Sequence, residues 1–261
     1  MSYTVTKYPQ GTFSWADFFS TDIVASKKFL IDLFGWTSED MPTTPGMPDY
    51  TMFSLEGKYV AGGSPAFDPE LPSFWSSYIS VENVDEIVEK AEKLGAKITM
   101  PAMDVLESGR MATIQDPTGA HVSLWQPKKH IGAGIVNKAG AMSWNEFYTK
   151  NLAAAKKFYT DLFGWTYEED KENNYTTILN NGRMNGGMME ITDEMMGMPP
   201  SWVVYFTVKD METSVSKVKE LGGQVHMQRD IAVGKIAMIA DPAGASFMLI
   251  EMSMPPTEWE N

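Results

Sequence analysis

Apolar residues along the chain alternate between a spacing typical of strands and a spacing typical of helices. Residues 14–19 (SWADFF) alternate as expected of a strand with one buried face. Asp22 then stands at an N-cap position, apolar residues recur at helical spacing from Ala25 to Leu33, and Gly35 ends the predicted helix. Two shorter strands are predicted after this helix, at 50–55 and 59–65.

The same order of elements follows in the next part of the chain. SYISV (77–81) is predicted to be a strand, Asn83 caps a helix with one apolar face, and Gly95 closes that helix. Three more strands are predicted at 97–104, 111–116 and 121–125. The predicted unit is therefore strand, helix, strand, strand, strand, and the chain contains four such units.

An internal repeat organises these units into two halves. KKFLIDLFGW (27–36) returns as KKFYTDLFGW (156–165), with eight of ten letters unchanged. SWADFFSTD and DPTGAHVSLWQ likewise return as SWNEFYTKN and DPAGASFMLIE. Repeats of this kind indicate a duplicated domain. We predict an α+β protein with domains at 1–128 and 129–261, the second including a connector at 129–140.

Composition and charge narrow the possible partners. The chain has 261 residues, 34 acidic against 21 basic, and a net charge of −13, which disfavours nucleic acid and anionic membranes. It has no cysteine, so disulfides, thiolate metal sites and thiol nucleophiles are excluded. No signal peptide or membrane span is evident. We expect a cytoplasmic protein, monomer or homodimer, whose partner is a small molecule.

The repeated motifs identify a family resemblance. The spacing of Asp22, Phe29, Leu33, Phe34 and Gly35, with the later helix and the closing DPTGAHVSLWQ, resembles the vicinal oxygen chelate superfamily. This group contains glyoxalase I, extradiol dioxygenases and bleomycin-resistance proteins. More narrowly, the chain is similar to the two-domain glyoxalase-like antigens of mycobacteria and their actinobacterial relatives. The resemblance implies two βαβββ modules per domain, whose sheet forms an open cup for a metal and a substrate.

The metal site that the resemblance implies is not supported by this sequence. Histidine and glutamate side chains normally hold the metal at four positions of each domain. Those positions carry other residues here: Trp15, Gly62 or Ser64, Ser76 and Ser123 in the first domain, and Trp144, Gly186 or Met188, Val203 and Met248 in the second. We therefore predict no metal and no other cofactor.

The replacing residues suggest a pocket for a small carbonyl or aromatic molecule. Trp15 and Asp17 stand two apart on a strand and share one face, as do Trp144 and Glu146. We predict Asp17, Glu146 and His121 as catalytic residues. The predicted substrate-binding residues are Trp15, Phe19, Ser76, Tyr78, Ser123, Trp144, Tyr148, Val203 and Met248.

Three alternatives stay open at this point. The tryptophans could fill the cups, with the acids paired to Arg110 and Lys235, in an interaction or structural protein. His121 has no counterpart in the second domain, which has Ser246 there, so a structural role competes with a catalytic one. The chain could also be a metal-dependent lyase or dioxygenase. Whether it is an enzyme is open; if it is, we expect a glyoxalase-like lyase activity without the usual metal.

Overall fold

The computed structural model describes residues 4–44, 46–68, 70–195 and 197–253. These residues form two domains of one design, each built on an eight-stranded sheet. No helix among them is both long and apolar enough to span a membrane.

The first domain has eight strands and two helices. In chain order they are β1 (Thr12–Ser20), α1 (Ile23–Phe34), β2 (Thr37–Met41), β3 (Tyr50–Leu55), β4 (Lys58–Pro65), β5 (Phe74–Ser80), α2 (Val84–Lys93), β6 (Lys97–Val105), β7 (Gly109–Gln115) and β8 (His121–Pro127). The strands lie in the order β2-β3-β4-β1-β5-β8-β7-β6. Because β1 pairs in parallel with β4 and antiparallel with β5, the two modules of the domain share one sheet.

The second domain repeats this arrangement. Its elements are β9 (Met142–Thr149), α3 (Leu152–Phe163), β10 (Thr166–Asp170), β11 (Tyr175–Asn180), β12 (Arg183–Glu190), β13 (Ser201–Thr207), α4 (Met211–Glu220), β14 (Gln224–Ile231), β15 (Gly234–Ala240) and β16 (Ser246–Met252). A short 3₁₀ turn at Asp193–Met195 precedes β13. The strand order, β10-β11-β12-β9-β13-β16-β15-β14, matches that of the first sheet and confirms the predicted tandem α+β fold.

The repeated phrase at 27–36 and 156–165 encodes a helix and its end. The Asp22 side chain accepts a hydrogen bond from the Ala25 backbone N–H, which caps α1. Gly35 then takes the left-handed conformation, with φ of 71°, that ends many helices. Asn151 and Gly164 do the same for α3, with φ of 77° at the glycine. The caps at Asp22 and Gly35 confirm the boundaries predicted from the sequence, and α3 has the same kind of caps.

The helices lie between the two sheets and join the domains. α1 packs with α4 in one apolar cluster, and α2 packs with α3 in another, so each pair combines helices of both domains. Phe18 of β1 packs against Phe53 and Trp75 in the cluster that contains the α1 and α4 side chains. By strand alternation Trp15, Asp17 and Phe19 point to the opposite, helix-free face of the sheet, where Trp15 joins the edge of the same cluster beside the connector.

Strands β2 and β10 were not located by the apolar pattern. Their sequences, TSEDM and TYEED, are largely exposed and have no alternation of apolar and polar residues. Each pairs antiparallel with the next strand along the chain. Backbone pairing at the sheet edge, rather than burial of side chains, thus determines these two strands.

Candidate functional site

A hydrogen-bonded network occupies the helix-free face of the first sheet. Trp15 Nε1 donates to the Tyr50 hydroxyl over 3.1 Å, and that hydroxyl donates to Asp17 Oδ2 over 3.1 Å. The Tyr78 hydroxyl donates to the same oxygen over 2.9 Å. We call this face, with Trp15, Asp17, Tyr50, Tyr78 and Ser123, the first cup. Its carboxylate is 3% exposed, so the charge is held by hydroxyl groups rather than by water.

A glycine makes room for this network. Asp17 lies beside Gly62 of β4 and Ser76 of β5 in the sheet. A Cβ atom at Gly62 would lie 1.9 Å from the Tyr50 hydroxyl oxygen. The absent side chain therefore lets the Tyr50 ring cross β4 and reach the carboxylate. The position at which the family resemblance suggests a metal ligand is filled here by a phenol.

The second sheet carries the equivalent network around Glu146. Trp144 Nε1 donates to the Tyr175 hydroxyl over 2.9 Å, which donates to Glu146 Oε2 over 3.0 Å. Tyr205 donates to Oε1 over 2.9 Å, and Tyr148 donates to the same atom over 2.5 Å. We call this face, with Trp144, Glu146, Tyr175, Tyr205 and Met248, the second cup. The tryptophan, two tyrosines and carboxylate thus belong to the duplicated design.

The carboxyl groups differ in how well they are satisfied. Both oxygens of Glu146 accept hydrogen bonds, whereas Asp17 Oδ1 is buried and has no hydrogen-bond partner among the described residues. Phe19 occupies the position of Tyr148 and has no hydroxyl to offer. Asp17 is therefore the carboxyl group with a free hydrogen-bonding site, which buried polar atoms seldom keep.

Burial raises the pKa of both acids. Desolvation raises the pKa of Asp17 to about 7, against the opposing effect of hydrogen bonds from Tyr78 and Tyr50. Desolvation also raises the pKa of Glu146, opposed by its three tyrosine hydrogen bonds and by the charge of Arg229. A carboxyl group with a pKa near neutrality can exist in either protonation state at physiological pH.

The floors of the two cups have different chemistry. In the first cup the hydroxyl oxygens of Ser76 and Ser123 lie 3.2 Å apart, and Thr113 lies 3.0 Å from Ser123. The second cup has apolar residues, Val203, Met248 and Met238, in the corresponding places, packed with Tyr205 and Ile236. The first cup therefore offers polar groups beyond its carboxyl, and the second offers a filled apolar surface.

The first cup is closed at one end and more accessible at the other. His130 of the connector packs edge-on against Trp15, with ring centroids 4.6 Å apart, and its backbone oxygen accepts from Trp125 Nε1 over 2.8 Å. Burial lowers the pKa of His130 to about 4, so it is neutral there. Along β5 the exposed fraction rises from 4% at Tyr78, through half-buried Ser76, to 43% at Phe74. The end of the first cup that lies nearer to solvent is thus the Phe19 and Phe74 side.

The structure brings together most of the predicted site residues. Trp15, Asp17, Tyr78, Ser76 and Ser123 line the first cup. Trp144, Glu146, Tyr148, Val203 and Met248 line the second. His121 is exposed at the start of β8 and is not among the donors to the Asp17 carboxylate.

Arg110 and Lys235 were wrongly considered as partners of the two buried acids. Arg110 forms ion pairs with Asp85 and Asp104, and Lys235 lies 3.9 Å from Glu212. The strand parity explains the error for Arg110. Successive side chains of β7 point to opposite faces of the sheet. Thr113 faces the cup, so Met111 shares that face, and Arg110 and Ala112 face the other side.

Sequence reasoning missed Tyr50, Tyr175 and Tyr205. A signal for the first two was present, because YT begins both YTMFSL and YTTILN, and a glycine pair follows each. The first glycine pair includes Gly62 and the second includes Gly187, whose Cβ would lie 1.9 Å from the Tyr175 hydroxyl oxygen. The repeated tyrosine and glycine could therefore have been recognised as one interacting pair.

The residues in the cups do not fit the divalent metal of the resembled family. Trp15, Ser76 and Ser123 supply no imidazole or carboxylate at the family's positions. Among the residues that the structure describes, no group of three or more His, Cys, Asp or Glu side chains is placed to hold a metal ion. Asp17 alone provides a carboxylate in the first cup, and two phenols already use one of its oxygens.

Comparison with known proteins gives consistent matches over nearly the whole chain. A family model described as the Glyoxalase/Bleomycin resistance protein/Dioxygenase superfamily matches residues 12–124 and 141–249. CFP32 of Mycobacterium tuberculosis, for which a glyoxylase activity is suggested by its name, is 40% identical over 253 residues, covering 94% of this chain and 96% of that protein. The anthracycline biosynthesis protein DnrV of Streptomyces peucetius is 30% identical over 266 residues, covering 95% and 96%.

Two solved structures show the same fold at low sequence identity. The 2,3-dioxygenase LapB of Pseudomonas sp. KL28 superposes with a TM-score of 0.66 at 14% identity, covering 95% of each chain. The Mn(II)-bound glyoxalase of Novosphingobium aromaticivorans superposes with a TM-score of 0.65 at 15% identity, covering 93% of this chain and 82% of that one.

Proposed function

Because the chain belongs to the glyoxalase, bleomycin resistance protein and dioxygenase superfamily, we propose that it binds a small molecule in the first cup. Asp17 then exchanges a proton with this ligand, and no metal takes part. The observation that carries the proposal is the buried Asp17 Oδ1 atom, which has no hydrogen-bond partner among the described residues. The carbonyl oxygen of a small ligand, or the hydroxyl group of an aromatic one, supplies that partner.

The hydrogen bonds around Asp17 determine where its proton lies. Tyr50 and Tyr78 both donate to Oδ2, so the proton of the neutral acid resides on Oδ1. From there it can be donated to a carbonyl oxygen of the ligand. The ionised form can instead accept a proton from a hydroxyl or from a carbon next to a carbonyl. A pKa of about 7 makes both forms available.

Ligand entry requires a local rearrangement. Oδ1 is covered in the structure, and the half-buried Phe19 ring is the neighbour of Asp17 on the accessible side. Side-chain rotation at this end is a smaller change than opening the end held by His130 and the connector. The relatives support small-molecule chemistry, since CFP32 is named for a glyoxylase and DnrV for anthracycline biosynthesis.

A specific observation favours a second candidate function, that of a structural or interaction protein with filled cups. Trp15, Tyr78 and Ser123 are buried, as are Tyr205 and Met248 in the second cup. Under this alternative, the carboxyl groups only complete hydrogen-bond networks. It predicts no small-molecule binding in either cup.

Matched variants of the two cups test the proposal. Small dicarbonyl and phenolic compounds would be screened by calorimetry against the wild type, Asp17→Asn and Glu146→Gln. We expect at least one compound to bind with an affinity that falls about tenfold or more in Asp17→Asn and is unchanged in Glu146→Gln. For a carbonyl ligand, exchange of its α-hydrogens in D₂O should also be lost in Asp17→Asn. If Asp17→Asn left the affinity for every compound unchanged, or if none of the compounds bound to the wild type, the filled-cup alternative would be supported.

A further inference from the structure

Three phenylalanines form an exposed aromatic cluster at the accessible end of the first cup. The Phe19 and Phe74 rings stack with centroids 5.1 Å apart and planes 29° from parallel. Phe67 packs on the same Phe19 ring at 5.2 Å. Phe67 and Phe74 are 61% and 43% exposed. We call Phe19, Phe67 and Phe74 the Phe rim.

The Phe rim continues directly from the carboxyl site. Phe19 pairs with Phe74 across β1 and β5, and Asp17 pairs with Ser76 on the same two strands. Residues two apart on a strand share a face and are separated by roughly 7 Å. This distance is about the width of a fused or substituted aromatic ring. Once side-chain rotation at this end has uncovered Oδ1, a planar ring lying against the Phe rim can therefore carry an oxygen substituent to Asp17 and Ser76.

The described residues of the second cup form no such surface. Ser201 occupies the place of Phe74, and Tyr148 occupies the place of Phe19, with its hydroxyl bonded to Glu146. The two domains share one fold, so the fold itself does not require the Phe rim. Exposed aromatic rings gain free energy when an apolar partner covers them, and ring faces favour planar aromatic partners. The rim is found in the domain whose carboxyl has a free oxygen.

We propose that the first cup selects a planar aromatic ligand that carries a hydroxyl or carbonyl oxygen. The ring packs against the Phe rim, and the oxygen pairs with Asp17 and Ser76. This inference rests on the proposed function of the first cup, and it names the ligand class. A saturated molecule of the same size and oxygen content binds more weakly, because it cannot lie flat against Phe19 and Phe74.

Matched probes and variants test this selection. 2-Naphthol and decahydro-2-naphthol have the same skeleton and oxygen, but only the first is planar. We expect calorimetry to show at least tenfold tighter binding of 2-naphthol to the wild type. The double variant Phe67→Leu/Phe74→Leu should reduce that preference to less than about threefold. Val24→Ala serves as the surface control, because it shortens an apolar side chain on α1 that is 76% exposed. This variant should keep the wild-type preference for 2-naphthol.

Further measurements separate failure of this inference from failure of the proposed function. If Asp17→Asn weakens binding of a saturated carbonyl compound while the Phe-rim variant leaves all affinities unchanged, the cup is functional and the aromatic selection is wrong. If the Phe-rim variant weakens 2-naphthol binding and Asp17→Asn does not, the Phe rim binds the ring but Asp17 does not bind the oxygen. That result would contradict both the proposed function and this inference. Light scattering provides the last check. A dimer that the Phe-rim variant converts to monomer would assign the cluster to self-association and overturn the ligand proposal.

Discussion

Tyr78 on β5 donates a 2.9 Å hydrogen bond to the Asp17 carboxylate on β1, although burial raises the pKa of that carboxyl to about 7. The phenol favours the ionised acid, and the loss of water disfavours it. The second effect is larger, so the folded protein holds the Asp17 proton over a pH range in which the unfolded chain releases it.

This proton produces a predictable dependence of stability on pH. Between the ordinary pKa of 3.8 and the folded value of about 7, the folded state binds more protons at Asp17 than the unfolded state. The free energy of unfolding therefore falls as the pH rises through this window, by at most about 4 kcal/mol from this group. Asp17→Asn removes this contribution. Urea unfolding at pH 4 to 8 should show the variant gaining stability relative to wild type with rising pH.

The difference in stability between the wild type and Asp17→Asn reports the contribution of Asp17 alone. Burial also raises the pKa of Glu146 and of Asp241, but both are present in the wild type and the variant. Their effects cancel in the difference. Parallel pH curves for the two proteins would show that Asp17 is already ionised in the folded state at acidic pH.

Tyr50→Phe should destabilise the first domain. The change removes the acceptor of the buried Trp15 Nε1, whereas Asp17 Oδ2 keeps its hydrogen bond from Tyr78. One unsatisfied buried group costs roughly 1–3 kcal/mol, so we expect a loss in that range in urea unfolding. Tyr59→Phe is the control, since its hydroxyl donates to Glu39 at the surface, and its loss should cost less than about 0.5 kcal/mol. Equal losses in both variants would argue against the buried network.

Gly62→Ala should disrupt the hydrogen-bond network of Trp15, Tyr50 and Asp17, because it places a Cβ atom where the Tyr50 ring lies. The new Cβ would meet the Tyr50 ring, whose hydroxyl oxygen lies 1.9 Å from its position. We expect destabilisation of about 1–3 kcal/mol in urea unfolding, and a smaller added loss when Tyr50→Phe is already present. Gly134→Ala is the milder control, because its new Cβ would lie 3.3 Å from Lys58 Cβ and needs only a small local shift. Fully additive losses would mean that Gly62 and Tyr50 act separately.

Metal chelation should leave the protein unchanged. Each cup has one carboxylate, and no group of three or more His, Cys, Asp or Glu side chains is placed to hold an ion among the described residues, so we expect no binding energy to be lost when ions are removed. Protein purified without chelators should show the same thermal midpoint with and without EDTA. A stoichiometric ion whose removal lowers the midpoint, and which is lost in His121→Ala, would contradict the metal-free proposal.

Local sequence patterns predicted the fold better than the site. The repeat and the caps at Asp22 and Gly35 depend on residues close together in the chain, and the structure confirms them. The shared face of Trp15 and Asp17 follows from the twofold periodicity of a strand. Tyr50 could not be placed in this way, because its ring reaches Asp17 across β4, and only Gly62 allows that approach. A contact between distant residues that depends on a glycine in a third strand is difficult to predict from a single sequence.

The domain junction provides a last prediction, since a buried tyrosine connects the two halves. The Tyr159 hydroxyl on α3 donates to Asp116 Oδ2 of the first domain over 2.9 Å and accepts from Trp202 Nε1 over 2.9 Å. Asp116 Oδ1 meanwhile accepts backbone N–H groups of its own turn, so the DPTG turn is tied to the other domain. Tyr159→Phe should therefore cost about 1–3 kcal/mol. Because both domains contribute to the helix clusters, tryptophan fluorescence and circular dichroism should still report one shared transition at a lower urea concentration. A loss confined to one of two separate transitions would show that the domains unfold independently.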